Sequence, residues 1–256
     1  MTRDAVVTDQ TGEDDLKTKV MTWLRKGGWP LEYEVGRAFR AAGFRAEQGR
    51  SYVDPLDGTR SREIDVLATS VFGGSAYLQC LAVVECKHSA GHPWVVLTSD
   101  AVAVDWDPIA TQGLASVGGV AKCVPLSRPH AFGAVQALDK TEVDRGDQAY
   151  AAMNQAVSGA VGTLRRSQAR SMLVLPVVVI DAPLFVLRVD DGKERLEVVD
   201  WYRLRWYGAQ AFPEATAVDL VTRPFAGTYA IELRNEFQAV AVSAERVGRS
   251  IAGLEP

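Results

Sequence analysis

The stretch Met172 to Ile180 (MLVLPVVVI) carries no polar side chain and is rich in β-branched residues, so it has no face to offer to water. At strand length, such a run belongs in the interior of a sheet covered on both sides. Leu81 to Val84 is apolar on both faces as well, and then runs into Glu85-Cys86-Lys87. The chain is therefore expected to build an α/β fold around a buried sheet. Its 256 residues, 47% hydrophobic and 23% charged, are ordinary for a globular protein and exclude disorder or fibrous repeats. Pro176, Asp181 and Pro183 break the longest apolar stretch, Met172 to Val189, so membrane spanning is excluded. Three cysteines with no pairing pattern, and no signal-peptide pattern at the start, point to a reducing, cytoplasmic compartment.

Around the sheet strands the pattern alternates between helix and strand periods. Glu13 to Lys26 reads as an amphipathic helix with Leu16, Val20, Trp23 and Leu24 on one side, ended by Gly27-Gly28. A second helix starts at Pro30 and repeats Leu31, Val35, Ala38, Phe39 and Ala42 until Gly43. Three extended runs follow, Arg45 to Val53, Arg62 to Thr69 and Tyr77 to His88, separated by a polar turn at 54–58 and a Gly73-Gly74 turn. Residues 89–146 hold no sustained period and read as an inserted region. Gln148 to Arg166 is a small-residue helix suited to packing on a sheet. After Ile180, Leu184 to Val189 and Leu196 to Trp201 flank Asp190-Asp191-Gly192, a hairpin signal that extends the sheet. Tyr229 to Leu233 is expected to add an edge strand, and Phe237 to Ile251 a closing helix. The implied organisation is a helical extension over 1–28 and a domain over 29–256, with C-terminal β/α additions over 190–256.

Net charge is −4, so no bulk positive field advertises a nucleic-acid partner. The distribution is uneven, however: between Leu16 and Arg62 ten basic residues stand against five acidic ones. On its own this describes solvated helix faces.

Chemistry concentrates at the end of the strand Leu81–Lys87. Alternation puts Glu85 and Lys87 on one face, and Asp65 in Arg62-Glu63-Ile64-Asp65-Val66 can approach Glu85 if the two strands pair. Ile64 and Val66 are expected on the opposite side of their strand from Asp65. Two carboxylates brought together at the end of a buried strand repel each other and lose hydration unless a cation or proton intervenes. Hard oxygen donors favour Mg²⁺ or Mn²⁺ over zinc. An adjacent ammonium, Lys87, suits orientation of a metal-bound water and stabilisation of charge growing on a phosphate, which is the equipment of phosphodiester hydrolysis.

These residues, Asp65 followed by Glu85-Cys86-Lys87 after a helix carrying Glu32 and Glu34 and ending at Gly43-Phe44, resemble the PD-(D/E)XK nuclease superfamily. The resemblance covers about residues 30 to 185 without the insertion. In appearance it is nearest to the Mrr-like restriction endonucleases, in which a glutamate lies eleven residues ahead of a Gly-aromatic pair, the spacing from Glu32 to Gly43. One departure is Ile64, where the pattern has a proline before the aspartate. The resemblance implies a restriction-endonuclease-like αβββαβ core with a mixed central sheet flanked by helices. It implies Asp65, Glu85 and the Cys86 backbone carbonyl as metal ligands, Lys87 as the catalytic lysine, and Glu32 as an accessory acid with Glu34 as fallback. The expected activity is Mg²⁺- or Mn²⁺-dependent DNA endonuclease, in a bacterial defence or DNA-processing setting. With one centre per chain, cutting both strands of DNA calls for a homodimer or larger assembly. The alternatives are a non-catalytic nucleic-acid- or partner-binding module on the same scaffold, and an RNase or ligand-activated nuclease.

Other residues carry weaker signals. Gln148 and Gln155 share a helix face and are candidates for DNA contact or the edge of the active site, as is Arg62. Cys86 with His88 could suggest a thiol hydrolase, but no third orienting group is in view. Trp201, Tyr202, Trp206 and Tyr207, interleaved with Arg203 and Arg205, fit either a base-stacking surface or an ordinary core-plus-rim strand, and the latter is favoured.

Overall fold

The computed structural model describes residues 10–26, 28–73, 78–88, 92–98, 133–136, 148–166, 172–206 and 216–251. Two helices, α1 (Gln10–Lys26) and α2 (Trp29–Ala41), precede β1 (Arg45–Val53), β2 (Ser61–Phe72) and β3 (Leu78–Lys87). Among the described residues of the inserted region are two short strands, β4 (Trp94–Thr98) and β5 (Gly133–Gln136). Helix α3 (Gln148–Arg166) leads into β6 (Met172–Ile180), β7 (Leu184–Asp190), β8 (Lys193–Val199), β9 (Trp201–Trp206) and β10 (Thr216–Thr222), and α4 (Ala226–Ile251) closes the order. None of these helices is long and apolar enough to cross a membrane.

Six strands form a mixed sheet in the order β1-β2-β3-β6-β10-β9. Its centre is parallel, β3 to β6 and β6 to β10, and its flanks are antiparallel. Every residue of β6 is buried, as its composition requires. On one face α2 and α4 supply Leu31, Val35, Phe39, Tyr229, Leu233 and Phe237 to a core with Val84, Val177 and Val179. On the other, Met153, Ala156 and Val157 of α3 pack with Val83, Val178 and Ile180. The protein is thus α/β, a mixed sheet flanked by helices.

Two expectations need correction, and one strand was not expected. The hairpin around Asp190-Asp191-Gly192 is real, with Asp191 at φ 49 and Gly192 at φ 72, but its strands do not extend the first sheet. They join a second sheet, β5-β4-β7-β8, in which β7 runs parallel to β4. Pro183 turns the chain out of β6, and its carbonyl accepts the Trp94 N–H at 2.9 Å, which recruits β7 to β4. Tyr229 to Leu233 is not an edge strand but the second turn of α4. Tyr229, Ala230, Leu233, Phe237 and Val240 form its buried stripe at helical spacing. Finally, the first sheet contains a strand the sequence did not signal: β10, all seven residues buried, including Asp219. β10 pairs with β6 only from Val177 onward, because the preceding residue, Pro176, has no N–H to give.

Candidate active site

The β2–β3 ladder runs from Phe72 opposite Leu78 to Val66 opposite Val84 and stops there, although both strands continue. The next opposed residues are Asp65 and Glu85. In the gap, Asp65 Oδ2 accepts the Cys86 N–H at 2.6 Å, where a main-chain carbonyl of β2 would have taken it. The strands separate because a side chain has replaced a rung of the ladder.

Asp65 reaches this position through an irregularity in β1. The two strands keep one register from Arg45 opposite Thr69 to Val53 opposite Ser61, but the pair Gly49–Asp65 is missing from it. Gly49 sits at φ +65. On either side of that point the faces exchange. Val66 and Ala68 look into the α2/α4 core, while Ile64 and Tyr52 look into the α3 core. Ile64 and Val66 therefore do not share a face, contrary to strict alternation. A left-handed glycine opposite the aspartate accommodates the change of hand, and a Cβ there would also meet Glu63 Oε1 at 3.0 Å.

Glu85 is 7% exposed and points to the α3 side of β3, as does Lys87, whose Nζ lies 2.6 Å from Glu85 Oε1. Burial first, and then the Asp65 charge, push the Glu85 carboxyl up to about 7 in spite of the lysine. The Asp65 carboxyl is also raised by burial, against the pull of the Cys86 N–H and Lys87. Glu32, at the start of α2, is raised by burial and by the Asp65 and Glu63 charges. Expected members Glu32, Asp65, Glu85 and Lys87 thus sense one another electrostatically. The cluster holds more negative charge than its single ammonium relieves.

The Lys87 carbonyl accepts the Asp181 N–H at 2.9 Å on the β6 side. Peptide groups alternate edges along a strand, so the Cys86 carbonyl points the other way, to the edge where Asp65 stands. Among the described residues no three His, Cys, Asp or Glu side chains form a ready ligand set. Two carboxylates and one carbonyl are what the end of β3 offers. That donor number fits Mg²⁺, which keeps several waters, and the raised carboxyls mark where a cation would relieve repulsion.

Several candidates are engaged elsewhere. Glu34 is gripped by Arg223 through two contacts, 2.7 and 2.8 Å, and stands apart from Asp65 and Glu85. Arg62 pairs with Asp54 at the β1–β2 turn. Gln148 opens α3 and is exposed, and Gln155 is half-buried without a hydrogen bond to the acidic cluster. Arg203 is buried in ion pairs within the sheet and offers nothing to a base; Tyr207 lies outside the described residues. The thiol reading fails because Cys86 faces the α2/α4 core and burial pushes its thiol well up, although His88 does have an orienting partner, Asp181 Oδ2 at 3.0 Å.

Two neighbours of the site went unread in the sequence. Tyr52 of β1, buried in the core beneath α3, has its phenol pushed up to about 12, mainly by burial, with smaller pushes from Asp54, Glu85 and Asp65. Asp181 joins His88 to Arg223 Nη1, each at 3.0 Å, and so ties the end of β3 to the segment after β10. Its place immediately after an all-apolar strand was the available signal, since polar residues at strand C-termini commonly serve sites in such sheets. Comparison of the chain with family models, with curated proteins and with solved structures gives no match.

Proposed function

We propose that the protein is a Mg²⁺- or Mn²⁺-dependent deoxyribonuclease of the PD-(D/E)XK type. One observation carries the reading: Asp65 breaks the β2–β3 ladder to sit beside a buried Glu85 whose carboxyl is raised to about 7, with Lys87 2.6 Å from Glu85. Asp65, Glu85 and the Cys86 carbonyl would hold the cation. When bound, it supplies Lewis-acid polarisation of the scissile phosphate and a more acidic water. The Cys86 N–H fixes the Asp65 carboxylate in one orientation. Lys87 would hold positive charge beside the reacting phosphate, where its ammonium can donate to a phosphate oxygen. Glu32 adds a proton acceptor at the rim. DNA is the proposed substrate and bacterial defence or DNA processing the proposed setting.

The short Glu85–Lys87 pair favours a second reading, in which the ammonium is a permanent counter-ion and the scaffold binds nucleic acid or a protein without cutting. A plasmid-nicking assay in Mg²⁺ or Mn²⁺ decides between them. Nicking by the parent, reduced at least ~10²-fold in Asp65→Ala and Lys87→Ala, is expected for the nuclease. Retained DNA binding with no cleavage by any of the three proteins supports the second reading. Cleavage of RNA alone moves the substrate and leaves the site.

A further inference from the structure

Strand β8 closes one side of the smaller sheet, and among the described residues no strand lies beyond it. It runs for 7 residues without a proline or a break in register, and Lys193 to Val198 are all exposed. Such an edge keeps a row of main-chain N–H and C=O groups ready for another strand. The turn before it tells which groups these are. Asp191 and Gly192 have φ 49 and 72, as a two-residue type I′ turn requires, so Asp190 and Lys193 face each other as a hydrogen-bonded pair. Alternation makes Arg188–Arg195 and Val186–Glu197 hydrogen-bonded pairs too, and leaves the N–H and C=O groups of Glu194, Leu196 and Val198 directed outward.

The side chains sort with the main chain. Leu196 and Val198, 57% and 72% exposed, lie opposite Leu187 and Phe185, on the face away from the core that Leu184 and Val186 enter. Lys193, Arg195 and Glu197 lie on the other face. There Arg195 has a like charge, Arg188, across the ladder, and Glu197 has the buried Val186. Neither Arg195 nor Glu197 forms an ion pair among the described residues. A second β8 running antiparallel about a two-fold axis must bring outward-directed residues to outward-directed residues, so the axis passes at a residue and not between two. Centred on Leu196, Arg195 falls opposite Glu197 on both sides of the axis, at non-hydrogen-bonded positions where side chains come closest. Centred on Lys193, Glu194, Arg195 or Glu197, the strand sets a charge against its own copy, and centred on Val198 it overlaps less and pairs no charges.

We propose that β8 pairs antiparallel with β8 of a second copy of this chain about a two-fold axis at Leu196, joining two 4-stranded sheets edge to edge. Leu196 faces Leu196, and Glu194 faces Val198, each pair exchanging two main-chain hydrogen bonds. The carboxylate of Glu197 reaches Arg195 of the second copy and offsets the repulsion between Arg195 and Arg188. This edge contains no residue of the acidic cluster, and the proposal does not depend on the nuclease reading.

Analytical ultracentrifugation of the full chain tests it. The parent should show a monomer–dimer equilibrium with a dissociation constant on the order of 10 μM, given the small area. Leu196→Pro removes an outward N–H that β7 does not use, so it should abolish the dimer and leave the main thermal transition unchanged. Arg195→Glu should weaken the dimer about tenfold, and adding Glu197→Arg to the same chain should restore it. Under oxidation Leu196→Cys should give a disulfide-linked dimer and Glu194→Cys should not, since this register holds the two positions 194 about 13 Å apart. The parent, which keeps Cys80, Cys86 and Cys123, is the blank for that measurement. A parent that stays monomeric at about 200 μM overturns the proposal and leaves the edge to an extended segment of a different protein. A dimer that the Arg195→Glu and Leu196→Pro variants form as well as the parent overturns it too, as does cross-linking of Glu194→Cys as readily as Leu196→Cys.

Discussion

Glu85 shows how much a single side chain can cost its own fold. Its carboxyl has a folded value of about 7 against an ordinary 4.5, so folding is favoured when it is protonated. That stability is fully present below pH 4.5 and is lost as pH rises through 7, a change on the order of 3 kcal/mol. Glu85→Gln keeps the shape and removes the charge, while Asp65 still offers Lys87 a counter-charge. The variant should therefore match the parent near pH 4.5 and be more stable at pH 8, as read from urea unfolding at both values. An offset equal at the two pH values would mean that Glu85 titrates as an exposed carboxylate. This residue was legible in the sequence, because an apolar run ending in a glutamate leaves few places for the acid to go. The face exchange at Gly49 and Asp65 was not: Gly49 looks like any strand glycine until its partner across the ladder is known.

Strand β10 makes the same point at the level of the element. Asp219 interrupts its apolar pattern and is fully buried, which is tolerable only because Arg203 of β9 meets it at 2.6 and 2.7 Å and the Tyr229 hydroxyl donates at 2.7 Å. Arg203 also grips Glu236 of α4 at 2.8 and 3.0 Å. The four residues of this network lie on three different elements, β9, β10 and α4, and no local pattern announces them. The helices α2 and α3, by contrast, were read within a residue or so, α2 from Pro30, Gly43 and its apolar period, α3 from its small-residue stripe. Asp219→Ala should cost about 3–5 kcal/mol in chemical denaturation, since it strands a buried guanidinium and loosens β9 from the edge of the sheet. A cost under about 1 kcal/mol would show that Glu236 alone satisfies the arginine.

For the whole molecule, the question is whether the two sheets fold as one body. Trp94, Val96, Leu184 and Val186 of the smaller sheet share a continuous core with α3 and with Val178 and Ile180 of β6. Calorimetry should accordingly show one transition, with van't Hoff and calorimetric enthalpies in agreement. Trp94→Ala should lower that transition by about 3–5 kcal/mol rather than melt the small sheet separately. The sequence could give the hairpin but not its sheet, because sheet membership was settled by the Trp94–Pro183 contact across the insertion.

The parallel pairing of β3 with β6 has a consequence during synthesis. Gln79 waits for Met172, about ninety residues further along, before its edge of the sheet is covered. At ~5–20 residues per second a ribosome leaves that hydrophobic margin open for roughly 5–20 s. In that interval the nascent β1-β2-β3 meander must avoid pairing with another chain, so newly made protein should lean on chaperones far more than finished protein does.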